Sequence, residues 1–263
     1  MKTKFNKGVK NVLLVATLVT GMSASAQKSG AKMPKIKNVV LVHGAFADGS
    51  GYKGLYEELS KEGYYVTVVQ NPLTSLEDDV KATMIALDKQ DGPTILVGHS
   101  YGGAVITEAG NHPKVVALVY VAAFQPDAGE SALDLIKSVP AAPESGILPP
   151  DEKGIVYNDR AKFHAGFCAD LSEQEANFMA ASQGAFYAKS FTATITKPAW
   201  KNKPVYAIVA TEDKTISPIT QRTMYKRSNS KVTEIKGSHV VFISQPKAVA
   251  KIIMEASKEV NVK

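Results

Sequence analysis

The stretch Thr94-Ile95-Leu96-Val97-Gly98-His99-Ser100-Tyr101-Gly102-Gly103-Ala104-Val105-Ile106 decides the reading of this chain. An apolar, β-branched run leads straight into Gly-x-Ser-x-Gly, and a second apolar run with helical character follows. A serine placed so sits on a sharp turn from strand to helix, its hydroxyl raised out of the sheet. Small residues two places before and two after are required because a Cβ there would strike neighbouring backbone. The same turn aims the Tyr101 N–H, at a helix N-terminus, toward the place where a negative oxygen would form.

Outward from the turn, the chain alternates strand and helix patterns. Asn38–Val42 is an unbroken apolar run, as expected of a strand covered on both faces. A helix is expected over Tyr52–Lys61, with Leu55 and Leu59 on one face and Gly63 as its stop. Tyr65–Val69 reads as the next strand, broken by Asn71-Pro72. Ser75-Leu76-Glu77-Asp78 reads as a capping box that opens a helix to about Lys89. Thr94–Val97, Val115–Val121, Pro204–Val209 and the more polar Lys231–Ile235 supply four further strands, the last suited to an edge. A closing helix is expected from Gln245 to Ser257. This order predicts an α/β fold: a doubly wound, mostly parallel, six-stranded sheet. Residues 125–200 break the rhythm with Pro126, Pro140, Pro143, Pro149 and Pro150 and then short helical patterns. They are too long for a structureless loop and read as a helical cap inserted after the fourth strand.

The N-terminus reads differently. Lys2, Lys4, Lys7 and Lys10 precede an apolar core, Val12–Val19, and Ala24-Ser25-Ala26 has the small residues of a secretory cleavage site. Residues 1–26 are therefore expected to be a signal peptide, and residues 27–263 one domain exported to the periplasm or medium. The core is too short to span a bilayer, and no cysteine lies just after it, so no stable membrane anchor is expected after cleavage. The chain of 263 residues has a net charge of +6, and the four leader lysines account for most of it, leaving about +2. No basic stripe with interleaved aromatics remains, which argues against nucleic acid as a partner. Cys168 is the only cysteine, so no intrachain disulfide is possible, and it reads as a packing residue.

A serine hydroxyl needs a base within hydrogen-bond reach, and the base needs a third group to fix its tautomer. In sheets of this kind ligands gather at the carboxyl ends of the strands, so the partners should lie just after strands. Asp213 follows the fifth strand, with Glu212 and Asp127 as alternatives. His239 follows the sixth, with His164 in the cap as the other candidate base among five histidines. Ser100, Asp213 and His239 then occur in the chain order this turn requires. The loop after the first strand, His43-Gly44-Ala45, offers a second amide donor from Ala45 to pair with that of Tyr101. Phe46, Phe124, Phe163, Phe167, Phe178, Phe186 and Trp200 are candidate pocket walls, or equally the cap's own small core.

Taken in order, Leu41–Ala45, Val97–Gly103, the Asp213 loop and Gly237-Ser238-His239 resemble the α/β-hydrolase superfamily. Within it the chain is similar to small bacterial esterases and to the plant methylesterase and hydroxynitrile lyase group. The resemblance implies a Ser100–His239–Asp213 triad with oxyanion donors at Ala45 and Tyr101. Two departures matter: Val240 stands where the similar lyases carry Lys, and Gly44 where they carry Thr. Both speak against cyanohydrin cleavage. The expectation is a serine hydrolase, a carboxylesterase cleaving a small ester through an acyl-enzyme. The alternatives are a receptor that binds a ligand without turnover, or a lyase or perhydrolase using the same residues. No metal-ligand cluster or nucleotide-binding loop is visible, so no cofactor is expected. The ester itself and the oligomeric state are not legible.

Overall fold

The computed structural model describes residues 36–260; the expected signal peptide lies outside the described residues. Six strands form one sheet: β1 (Asn38–Val42), β2 (Tyr65–Val69), β3 (Thr94–His99), β4 (Val115–Val121), and, after a long insertion, two more at Val205–Ala210 and Lys231–Ile235. The helices between the first four are α1 (Lys53–Lys61), preceded by a 3-10 turn at Gly49–Tyr52, then α2 (Leu76–Asp88) and α3 (Gly102–Ala109). The insertion carries α4 (Ala132–Ile136), β5 (Ile155–Val156), α5 (Arg160–Phe167), α6 (Glu173–Ala181), β6 (Phe186–Tyr187) and α7 (Ala188–Thr192). The late strands are therefore β7 and β8, separated by α8 (Pro218–Arg227) and followed by α9 (Val241–Ser244) and α10 (Pro246–Glu259).

The sheet runs β2-β1-β3-β4-β7-β8, and every neighbouring pair is parallel. The order reverses between β1 and β3, so right-handed crossovers put α1 on one face and α2 and α3 on the other. Accordingly α1 packs with α10, and α2 packs with α3. The apolar runs β1, β3 and β7 are buried throughout, whereas the edge strands β2 and β8 keep only their last residue buried. Interior strands lose water from both faces, which is why they lack polar alternation.

Two local expectations need correction. Ser75 caps α2 by accepting the Asp78 N–H, but the reciprocal half of a capping box is missing: the Asp78 carboxylate accepts the Ser75 and Thr74 hydroxyls instead. The cap also contains strand: β5 and β6 form a two-residue antiparallel pair, Ile155 with Tyr187 and Val156 with Phe186. A run of two residues is too short to carry a period in sequence. True capping boxes open α4 at Ser131 and α6 at Ser172.

Four non-glycine residues take positive φ just beyond the carboxyl ends of the first four strands: Phe46 (61°), Leu73 (60°), Ser100 (54°) and Ala122 (44°). Each such residue costs about 1–3 kcal/mol, so the strain is concentrated at one rim of the sheet. Beside Ala122, the buried Tyr225 hydroxyl both donates to Ala123 O (2.8 Å) and accepts from Ala123 N (2.9 Å), replacing the ladder that β4 has left. Replacing Tyr225 with Phe leaves a buried N–H and C=O without partners. A loss of about 2–4 kcal/mol in unfolding free energy is expected, measurable by urea denaturation.

Candidate active site

The Ser100 turn is enforced by contact. A Cβ on Gly98 would lie 2.6 Å from Gly102 O, and a Cβ on Gly44 would lie 2.6 Å from the Ser100 Cβ. The first crowding closes the turn; the second brings the loop after β1 against the serine. Ser100 O accepts from Gly103 N (2.9 Å) and Phe124 N (3.1 Å), tying the turn to α3 and to the end of β4.

Three side chains from three rim loops meet here. His239 Nε2 lies 2.8 Å from Ser100 Oγ, and His239 Nδ1 lies 2.7 Å from Asp213 Oδ2. The tautomer follows from the partners. Asp213 is filled with donors: Thr215 N (2.7 Å) and Ile216 N (2.9 Å) at Oδ1, and Gln221 Nε2 (2.8 Å) beside His239 at Oδ2. A carboxylate so surrounded is an acceptor, so His239 Nδ1 carries its proton, Nε2 offers a lone pair and the serine hydroxyl donates. Gln221 in turn accepts the Ala210 N–H and donates to Ile216 O, which fixes the acid loop to β7.

The alternatives weighed from sequence lie elsewhere. Glu212 pairs with Lys236 at 3.6 Å, and Asp127 with Lys201 at 2.5 Å. His164 donates to Leu171 O (2.9 Å) inside the cap. Cys168 is buried, and burial pushes its thiol up to about 12, so it stays an inert packing residue.

Neither the Ala45 N–H nor the Tyr101 N–H has an acceptor among the described residues, although both residues are buried. Buried amides without partners are rare in folded proteins. An aromatic cluster gathers around the Tyr101, Phe46 and His239 rings. The Phe186 ring is 4.9 Å from Tyr101, 5.8 Å from Phe46 and 4.6 Å from Phe191; the Phe167 ring is 6.4 Å from Phe46 and 5.0 Å from the His239 ring. Phe124 joins through Phe191 at 6.4 Å. The cluster leaves Ser100 only 5% exposed and His239 fully buried.

The other three pocket candidates sit apart. Phe163 packs on Phe167 at 4.7 Å, one ring further from the serine. Phe178 is 71% exposed on α6. Trp200 donates to Pro126 O (2.9 Å) and carries the Lys201 and Arg227 cations over its ring, at the foot of the cap.

Sequence reading missed four contributors. Phe191 completes the aromatic cluster, and only its place five residues after Phe186 pointed to it. Gln221 orders the acid. Asp170, in the cap, accepts from Ser238 N (2.9 Å), the Ser238 hydroxyl and Ser244 Oγ (2.7 Å), holding both sides of His239. Asp79 lies behind Tyr101 and accepts its hydroxyl at 2.9 Å.

His99 is fully buried beneath the site. Its Nε2 donates to His239 O (2.9 Å), and its ring lies 4.7 Å from the His239 ring. Burial, with the neighbouring His239 adding to it, holds its pKa well below the ordinary 6.5. The unfolded chain therefore takes up a proton near pH 6.5 that the folded chain refuses, and stability is lost as pH falls below that value. In His99→Gln, whose amide can still donate to His239 O, this loss is absent. The stability of the wild type relative to the variant is expected to fall between pH 7.5 and pH 5 in parallel denaturation series.

Comparison with known proteins agrees with this architecture. Residues 39–252 match the model of the alpha/beta hydrolase family. A carbendazim hydrolyzing esterase of Nocardioides sp. (strain SG-4G) is 30% identical over 156 residues, which covers 54% of this chain and 58% of that protein. A putative chloroplastic methylesterase of Arabidopsis thaliana is 23% identical over 255 residues, 85% of this chain and 72% of that protein. The crystal structure of a pyrethroid hydrolase from Sphingobium faniae JZ-2 superimposes with a TM-score of 0.72 at 21% identity, covering 85% of this chain and 98% of that one, a likeness of fold. The serine turn, the strand order and the family match over most of the chain lead to one conclusion: this protein belongs to the α/β-hydrolase family.

Proposed function

We propose that this protein is a serine carboxylesterase that cleaves a small, uncharged ester through an acyl-enzyme. The observation that carries the reading is the line of hydrogen bonds from Asp213 through His239 to Ser100, beside the N–H groups of the buried residues Ala45 and Tyr101, which have no acceptor among the described residues. Ser100 Oγ attacks the ester carbonyl while His239 Nε2 takes its proton. The carbonyl π pair moves onto oxygen, and the Ala45 and Tyr101 N–H groups receive that oxyanion. Asp213 keeps His239 in the required tautomer and stabilises its charged form. Collapse of the adduct expels the alcohol, which His239 protonates. Water then repeats the sequence on the acyl-enzyme and frees the acid.

The aromatic cluster supports an uncharged substrate. Phe46, Phe167, Phe186 and Phe191 present no cation to a carboxylate, and a charge buried there without a partner would be costly. The relatives named as esterases support the reaction class. Val240, buried directly after His239, supports hydrolysis over cyanohydrin cleavage.

Turnover of p-nitrophenyl acetate, with a burst of p-nitrophenol stoichiometric with enzyme where deacylation is slow, tests the reading. Ser100→Ala is expected to lower kcat by about 10⁴-fold or more and to abolish labelling by a fluorophosphonate. Undiminished activity in that variant excludes the mechanism; tight binding of a ligand released unaltered favours the receptor alternative. We further propose that residues 1–26 direct export. The mature protein recovered from the periplasm or medium is then expected to begin at Gln27 on N-terminal sequencing.

A further inference from the structure

The hydrolase reading gives work to the Tyr101 and Ala45 amides but none to the carboxylate buried behind them. Asp79, on α2, is fully buried, and both its oxygens are engaged by neutral donors: Leu73 N at Oδ1 (2.7 Å) and the Tyr101 hydroxyl at Oδ2 (2.9 Å). We propose that Asp79 is a positioning residue for the oxyanion hole, holding both amide donors through its bonds to Tyr101 and Leu73. This assignment rests on the hydrolase reading above.

The first arm is direct. Tyr101 follows Ser100, and its N–H is one of the two unpartnered amides. Its ring reaches back to α2, where the hydroxyl is tied to Asp79. A tether at the far end of a rigid ring restricts rotation of the residue and with it the direction of its N–H.

The second arm runs through the loop after β2. Asp79 Oδ1 holds Leu73 in its left-handed conformation (φ 60°). Two residues earlier, Asn71 N donates to His43 Nε2 (2.9 Å), and Asn71 Nδ2 donates to His43 O (2.8 Å). His43 Nε2 is thus an acceptor, its proton is on Nδ1, and Nδ1 donates to Gly44 O (2.9 Å). Gly44 abuts Ser100, and the Ala45 amide follows it. A chain of hydrogen bonds and short backbone links therefore joins one carboxylate to both donors.

A purely packing role does not call for this residue. Burial pushes Asp79 up to about 6, opposed by the bonds from Leu73 and Tyr101. At neutral pH the fold thus holds a carboxylate to which no cation among the described residues is bonded, a costly arrangement. What a carboxylate adds over an apolar side chain is two acceptors facing two separate loops. Leu73 O also accepts from Tyr187 N of the cap (3.0 Å), so the anchored loop carries the cap's short strand as well.

The test uses the full chain, p-nitrophenyl butyrate as substrate and 1,1,1-trifluorodecan-2-one as a mimic of the tetrahedral adduct. Ser100 Oγ adds to the ketone carbon, its proton passes to His239, and the carbonyl pair becomes an oxyanion in the hole. The variants are Asp79→Asn and Tyr101→Phe; should the first not fold, the second carries the test. Each is expected to lower kcat by about 10- to 100-fold, below the full loss of an oxyanion donor, with KM within about threefold. The ketone's Ki should rise by the same factor as kcat falls. The double variant should lose no more than Asp79→Asn alone, since both act along one path. Folded variants with a lowered Tm but unchanged kcat and Ki overturn the assignment, as does a fall in kcat with Ki unmoved. An inactive, uninhibited wild type overturns the hydrolase reading itself, and the assignment with it.

Discussion

Everything chemical in this protein depends on how closely two stretches of backbone approach Ser100. The serine is held at a φ of 54°, a region most side chains avoid. It stays there because Gly98 lets the turn close on Gly102, and because the Gly44 backbone presses against the serine from the neighbouring strand's end. A methyl group at either glycine would push the turn open. The hydroxyl would then no longer meet His239.

The rest of the rim follows from that crowding. Four successive strands end in residues forced to positive φ, and none of the four is glycine. Such strain persists only where the surroundings over-determine it. Here they do so with polar groups: Tyr225 replaces a missing ladder at Ala123, Asp79 holds Leu73, and Phe124 N reaches Ser100 O. The cap closes over this strained edge largely with aromatic rings, with the Asp170 carboxylate held by Ser238 and Ser244, so little water reaches the serine. In that setting an interaction such as the Asp213–His239 hydrogen bond is stronger than it would be in water.

The cap is joined to the loops around Leu73 and His239 as well as laid over them. Asp170 brackets His239 through Ser238 and Ser244, Phe167 packs against its ring, and Tyr187 bonds to Leu73. Beneath this cover Ser100 is nearly sealed from solvent.

Much of this was legible along the chain. Continuous apolar runs at Asn38–Val42 and Pro204–Val209 revealed interior strands, because burial on two faces removes alternation. Gly98 and Gly102 revealed the elbow, because only glycine tolerates that contact. Asp213 and His239 could be picked out because they follow strands, where a parallel sheet gathers ligands. The short β5–β6 pair, the half-made cap at Ser75, and the roles of Asp79, Asp170, Gln221 and Phe191 could not be read this way. A polar residue in a helix looks the same in sequence whether water or a distant loop accepts its bond. Sequence alone determined the sheet, the elbow and the candidate chemistry, since those follow from local sterics and periodicity. Only the tertiary structure decided which polar groups lie buried together and which aromatic rings cover the serine, because those contacts join residues tens of positions apart.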